Sequence, residues 1–227
     1  MAKTNCYNCG NEIDSSKSTK EHIPARSLFE GYDEAYKVNR ITVDACLKCN
    51  GQYSPTDEEF RNMIGIIAKR KENNKISEKS VRSILRKDKD NTRLHFEGFD
   101  KVSGVTFSKG SIEDFHKKNF KGLFKYQYNK VLLDNYGLWV NIDENDWSKP
   151  TLAMLGFLEM FEWKCSGHVE IFKYKLQPFR LHIENPLKKD LIPESDESFY
   201  LCLMAYNEEH AALVLAYNKV AIRKMVS

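Results

Sequence analysis

Apolar residues in the first half of the chain follow a short strand-like period and then a helical one. Residues 40–46, RITVDAC, alternate as a β-strand does. From residue 57 onward, apolar positions recur at the spacing of one helix face: Phe60, Met63, Ile64 and Ile67. We therefore predict a helix capped by Thr56. A second helix, capped by Ser77, carries its apolar stripe at Val81, Ile84 and Leu85 and basic residues elsewhere.

The second half alternates strand-like runs with two helical segments. Strands are predicted at residues 93–99, 104–108, 136–142, 168–176, 198–206 and 211–217, the first two as a hairpin. Helices are predicted at 111–133, capped by Ser111, and at 151–161, which is apolar enough to be buried. A polar break at 87–91 separates the halves. The expected fold class is α+β, with a domain at 1–92 and a second at 93–227 that contains an antiparallel sheet.

The distribution of charge along the chain suggests an anionic partner. The net charge is only +3, but residues 61–93 hold eleven Lys/Arg against four Asp/Glu. A basic segment of this kind is typical either of a nucleic-acid contact or of a solvated helical face. The candidate DNA contacts are Lys69, Arg70, Lys71, Arg82 and Arg86.

The sequence has no run of 18 apolar residues, and it begins without the apolar segment of a secretory signal. We therefore expect a cytoplasmic protein without a membrane partner.

Four of the six cysteines form two Cys-x-x-Cys pairs, Cys6/Cys9 and Cys46/Cys49, separated by 36 residues. Two such knuckles supply the four thiolates of a closed, structural zinc site. A redox dithiol and an iron–sulfur site are the alternatives. The isolated Cys165 and Cys202 lie in apolar surroundings and are expected to be core residues.

An acid and a histidine, Glu21 and His22, lie in the segment between the two cysteine pairs. Pro24 favours extended backbone at Ile23, so His22 is expected on or beside a strand. Asn50 directly follows the last cysteine. In a strand–strand–helix unit these positions converge.

These residues resemble the HNH nucleases, which share the ββα-metal fold. The stretches that carry the resemblance are CYNC, EHIP, VNRITVDAC and CLKCN, within residues 6–61. The order of cysteines, acid–histidine pair and asparagine is that of the family. The sequence departs from the family pattern in three places. The acid is Glu21, where aspartate is commoner, and Pro24 follows Ile23 directly, where one residue usually separates the two. Asn50 stands where a histidine is commoner.

The resemblance implies a DNA endonuclease, which is expected to act in bacterial defence against phage or foreign DNA. It implies His22 as general base, and Glu21 and Asn50 as ligands of a catalytic Mg²⁺ or Mn²⁺. It further implies that Asn39 braces the loop and orients the histidine. DNA is the expected partner, with a regulatory protein or a second copy of the chain as a further one. The alternative function is a non-catalytic four-cysteine zinc module that binds nucleic acid or protein.

Overall fold

The structure is a computed structural model that describes residues 3–68, 74–87, 93–97, 101–142, 148–179 and 199–226. Its strands are β1 (Lys3–Asn5), β2 (Glu12–Asp14), β3 (Thr19–Ile23), β4 (Ile41–Ala45), β5 (Leu94–Glu97), β6 (Lys101–Val105), β7 (Tyr136–Asn141), β8 (Lys164–Cys165), β9 (Phe172–Phe179), β10 (Phe199–Tyr206) and β11 (His210–Asn218). Its α-helices are α1 (Leu47–Gln52), α2 (Ser54–Ile67), α3 (Asn74–Lys87), α4 (Lys109–Tyr128), α5 (Lys149–Glu159) and α6 (Lys219–Val226). The mixture of helices and antiparallel strands confirms the α+β class.

The N-terminal part contains an antiparallel hairpin of β3 and β4 followed directly by α1 and α2. The prediction that His22 lies on a strand is confirmed, because β3 ends at Ile23 and His22 pairs with Thr42 of β4. Helix α2 begins earlier than predicted, with Tyr53 rather than Thr56 at its N-cap. Pro55 explains the difference, since proline is preorganised for the first helical turn.

The C-terminal part is built on a five-stranded antiparallel sheet with the order β7-β11-β10-β9-β8. Successive side chains of β10 point to opposite faces. Tyr200, Cys202 and Met204 join the large core that includes residues of α4, whereas Leu201 packs with Leu158 of α5. The sheet therefore lies between α4 and α5.

The large core extends across the predicted domain boundary. Phe60 of α2 stacks on Phe115 of α4, with ring centroids 3.8 Å apart, and contacts Tyr206 of β10 at 4.8 Å. Ile23 of β3 belongs to the same buried cluster. The boundary at residues 92 and 93 stays a prediction, but α4 packs on the N-terminal elements as well as on the sheet.

Several boundaries and burial predictions differ from the structure. Helix α3 begins at Asn74 instead of after Ser77. Helix α4 runs from Ser108, its N-cap, to Asn129, whose left-handed backbone (φ 52°) ends it before residues 130–133. Helix α5 is exposed along one side, with Leu152 and Met160 accessible to solvent.

Of the two isolated cysteines, Cys202 is buried as predicted, whereas Cys165 is exposed on the short strand β8. Phe161 and Trp163 precede Cys165, but the two-residue edge strand leaves the cysteine side chain uncovered. The candidate DNA contacts Lys69, Arg70 and Lys71 lie outside the described residues. Within the described ranges, no helix combines the length and the apolar character needed to cross a membrane.

Candidate functional site

The four paired cysteines form one cluster. The sulfur atoms of Cys6, Cys9, Cys46 and Cys49 all lie within 4.8 Å of one another, and those of Cys9 and Cys46 are 4.0 Å apart. Tetrahedral zinc with Zn–S bonds of about 2.3 Å requires sulfur–sulfur distances of about 3.8 Å. The cluster can therefore hold a zinc ion with little rearrangement.

Two local turns build this cluster. The first follows β1, where Gly10 (φ 73°) donates its N–H to the Cys6 carbonyl at 3.0 Å and Cys6 donates to the Asn11 carbonyl at 3.0 Å. In the second, Cys46 caps α1, and its sulfur accepts the N–H of Cys49 at 3.4 Å. Each turn is a short loop that directs two sulfurs to the same side.

Backbone donors favour the thiolate of Cys6, whereas burial raises the pKa values of Cys9 and Cys49. Burial raises the pKa of the Cys6 thiol, but backbone hydrogen bonds from Cys9, Cys46 and Asn8 outweigh it and bring the pKa to about 7. A thiol with a low pKa loses its proton more readily when it binds a metal.

The cysteine cluster is tied to the β3–β4 hairpin through Asp44. Its carbonyl accepts the N–H of Tyr7, which lies between the first two cysteines, at 2.9 Å. Its carboxylate accepts hydrogen bonds from Thr4 at 3.0 Å and from Lys20 of β3 at 2.6 Å. Metal binding at the cysteines would thus hold β3 and β4 in place.

A cleft of about 540 Å³ lies beside this hairpin. It contains three of the predicted site residues, Glu21, His22 and Asn50, although they come from β3 and α1. The remaining lining residues are mostly polar or charged: Lys20, Ala25, Arg26, Ser27, Glu30, Ser54, Asp57, Glu58 and Arg61.

Glu21 is buried, with 5% of its surface exposed. One carboxylate oxygen, Oε1, forms an ion pair with the ammonium of Lys118 at 2.9 Å. The other, Oε2, has no hydrogen-bond partner among the described residues. Burial raises the pKa of Glu21, and the nearby Lys118 charge opposes this without reversing it. An orphaned, desolvated oxygen is costly unless a cation or water satisfies it.

His22 is half-buried, and its Nδ1 atom also has no hydrogen-bond partner among the described residues. Burial lowers the pKa of His22, and the positive charges of Arg40 and Arg26 lower it further. The imidazole is therefore neutral at pH 7 and able to accept a proton.

The two asparagines differ in position. Asn50 follows Cys49 on α1, where its N–H donates to the Cys46 carbonyl at 2.9 Å, and it lines the cleft. Asn39 is exposed in the turn before β4, with a left-handed backbone (φ 54°). It is not among the residues that line the cleft, and its carbonyl accepts the N–H of Gly167 at 3.4 Å.

Lys118 is a residue of this region that was not predicted from the sequence. Lys118 is completely buried on α4, and its ammonium donates to both carboxylate oxygens of Asp57 at 2.7 Å, in addition to Glu21. Lys118 follows Phe115 by three positions and so lies on the buried side of the helix. A lysine on the apolar side of a predicted helix indicates a buried ion pair, but the sequence does not show that Glu21 and Asp57 are its partners.

Arg61 lies between the cleft and α3. It is 6% exposed, its Nη2 donates to Asn62 at 2.6 Å and lies 3.7 Å from Glu58, and its Nε has no hydrogen-bond partner among the described residues. Arg61 is shielded from solvent because α3 packs over α2 at this point.

A second groove of about 720 Å³ adjoins the cleft and shares Glu58 and Arg61 with it. The candidate DNA contacts Arg82 and Arg86 line this groove on α3, with side chains 78% and 75% exposed. Arg82 forms an ion pair with Glu78 at 3.0 Å, and Arg86 lies 3.8 Å from Glu58. The basic side chains are accessible, but acids partly compensate their charge.

Comparison with protein families, with curated proteins and with solved structures finds no match to this chain. The likeness to the HNH nucleases therefore depends on the motif residues of the sequence.

Proposed function

We propose that the protein is a metal-dependent DNA endonuclease of HNH type, with His22 as general base and the four cysteines as a structural zinc site. The observation that carries this proposal is the presence of Glu21, His22 and Asn50 in one cleft beside a strand–strand–helix unit. A protein that only bound zinc would not need an acid and a neutral histidine there.

In the proposed reaction, His22 removes a proton from a water molecule that attacks the phosphorus. The bond from phosphorus to the 3′-oxygen breaks, and that oxygen takes a proton from solvent. The products are a 5′-phosphate and a 3′-hydroxyl. The lowered pKa of His22 supports this role, since the base is unprotonated at neutral pH.

The donors of the cleft fit a hard divalent cation such as Mg²⁺ or Mn²⁺. Glu21 offers the orphaned carboxylate oxygen Oε2, and the side chain of Asn50 offers an amide oxygen. When bound, such a cation would stabilise negative charge on the phosphoryl group and on the leaving oxygen. Glu21 and Asn50 are the residues proposed to hold it.

Two arginine sites support a polyanionic substrate. The buried Arg61 lines the cleft, its Nε has no partner among the described side chains and backbone, and its guanidinium can donate to a phosphate. Arg82 and Arg86 line the adjoining groove, where they would contact the DNA backbone without reading its sequence.

A non-catalytic zinc module is the second candidate. It is favoured by the ion pair between Glu21 and Lys118, which already satisfies one oxygen of the proposed metal ligand. In that case Glu21 serves to stabilise the packing of α4 on the hairpin.

DNA cleavage by His22→Ala, compared with the wild type, tests the proposal. The full chain is incubated with plasmid, linear and single-stranded DNA in Mg²⁺ and in Mn²⁺. Loss of a general base should lower the rate by about 10²- to 10⁴-fold. DNA binding should be unchanged, because Arg61, Arg82 and Arg86 remain.

The matched control is His95→Ala, which removes an exposed histidine on β5 away from the cleft. It should cleave as the wild type does. Equal cleavage by His22→Ala and the wild type would exclude His22 as the base. Binding without cleavage by the wild type on every substrate would favour the zinc module.

A further inference from the structure

The most unusual charged group in the structure is the ammonium of Lys118. The side chain is fully buried on α4. In the sequence, Lys118 comes 97 residues after Glu21 and 61 residues after Asp57. Its three close contacts are carboxylate oxygens at 2.7 to 2.9 Å. It also lies 5.7 Å from the ring centroid of Tyr53.

Lys118 reaches the carboxylates from the protein interior. Glu21 and Asp57 both line the cleft, whereas Lys118 is not among its lining residues. The lysine therefore does not occupy the cleft that the two acids line. The oxygen of Glu21 that it does not contact, Oε2, is the one without a partner among the described residues.

The cluster of Glu21, Asp57 and Lys118 has a net charge of −1 when both carboxylates are ionised, because two carboxylates face a single ammonium. Two bare carboxylates at this depth would repel each other and be strongly desolvated. A buried ion is tolerated only when its partners compensate the loss of water. Lys118 supplies that compensation and at the same time limits the attraction for a further cation.

We propose that Lys118 is a positioning residue for a divalent-cation site formed by Glu21 and Asp57. It holds Glu21 by Oε1 so that Oε2 remains available to the cation, and it sets the net charge that determines how tightly the cation binds. The inference rests on the proposed function for the identity of the site. It adds Asp57 to the proposed cation ligands Glu21 and Asn50, and it makes Lys118 the residue that positions the two carboxylates. It also gives α4 a role in the cleft.

Mn²⁺ affinity of the zinc-loaded full chain, measured by titration calorimetry and by the electron paramagnetic resonance of free Mn²⁺, tests the proposal. Lys118→Met keeps the length of the side chain and leaves two net negative charges, so Mn²⁺ should bind at least about tenfold more tightly. Asp57→Asn leaves no net charge and should weaken binding at least about tenfold. Glu21→Gln should abolish it.

The matched control is Lys117→Met, the neighbouring lysine on α4, which pairs with Asp114 at the surface. It should bind Mn²⁺ as the wild type does. Affinities that are equal in the wild type, Lys118→Met and Asp57→Asn would overturn the proposal. Wild-type affinity in Glu21→Gln would do so as well.

Lys118→Met is expected to lower the melting temperature by about 10 °C, since it leaves buried carboxylates uncompensated. Mn²⁺ should restore more of this loss than it adds to the wild type, which a purely structural ion pair would not show. If Lys118→Met does not fold, the comparison of Asp57→Asn with the wild type still decides the question.

Cleavage assays separate the two proposals. Lys118→Met should lower kcat with little change in the KM for DNA, because Glu21 is no longer held in place. Mn²⁺ affinities in the expected order without DNA cleavage by the wild type would support the cation site and reject the nuclease. Cleavage by the wild type with unchanged affinities in the variants would reject the role of Lys118 alone.

Discussion

The close contact between α4 and β3 leads to a prediction in which the same substitution has opposite effects at two helical glycines. Gly122 of α4 is buried, and a Cβ atom built there would come within 2.5 Å of Ile23 Cγ1 and closer still to Cδ1. Gly156 of α5 has no atom within 4 Å of the corresponding position. Of these two glycines, only Gly122 is required for close packing.

The magnitudes follow from packing and helix propensity. Carbon atoms prefer separations of about 3.5–4.0 Å, so Gly122→Ala requires a shift of about 1 Å. Ile23 is fully buried and β-branched, and it cannot turn away. Overpacking costs about 1–3 kcal/mol, while replacing a helical glycine by alanine returns up to about 1 kcal/mol. We expect a net loss of about 2 kcal/mol.

Thermal unfolding followed by circular dichroism measures both variants. Gly122→Ala should lower the Tm by about 4–8 °C, and Gly156→Ala should raise it by about 2–4 °C. Adding Ile23→Val, which removes Cδ1, should recover part of the loss in Gly122→Ala, and a double-mutant cycle isolates that coupling. A Gly122→Ala variant as stable as Gly156→Ala would refute the close packing of α4 on β3.

Two further predictions concern the zinc site and the buried histidines. Cys46→Ser should lose the single zinc ion and about 4 kcal/mol of stability, the scale expected for opening the 36-residue loop, whereas Cys165→Ser should keep its zinc in metal analysis. His116 and His210 meet with their Nε2 atoms 3.0 Å apart, and burial lowers the pKa of His210 to about 4. Because the unfolded pKa is near 6.5, the neutral form stabilises the fold above that pH, and up to about 3 kcal/mol should be lost as the pH falls from about 6.5 to about 4. A His210→Gln variant with the same pH dependence of urea unfolding as the wild type would contradict this.

Local sequence patterns were most informative near the cysteines and in the second half. Cys-x-x-Cys spacing brings two sulfurs to one side of a short turn whatever the rest of the chain does. The alternation of residues 40–46 and the effect of Pro24 on Ile23 likewise act within a few residues. These predictions are confirmed by the cysteine cluster and by the hairpin of β3 and β4.

Predictions of which side chains are buried were less successful, because burial depends on elements that are far away in the sequence. Both Cys165 and Cys202 follow aromatic residues in the sequence, but only Cys202 lies on a central strand covered by α4. Arg61 is buried because α3, a later element of the chain, covers it. The roles of Glu21, His22, Asn39 and Asn50 in catalysis stay predictions.

By itself, the sequence determined the four cysteines that form one cluster, the strand that carries Glu21 and His22, and the antiparallel strands of the C-terminal half. Only the tertiary structure decided which charges surround that acid. Lys118 and His116 are on one helix, and they find Asp57 and His210 across 61 and 94 residues of chain. Short-range spacing fixes turns and faces, but the pairing of buried charges depends on how α4 packs against the hairpin and the sheet, which no local pattern encodes.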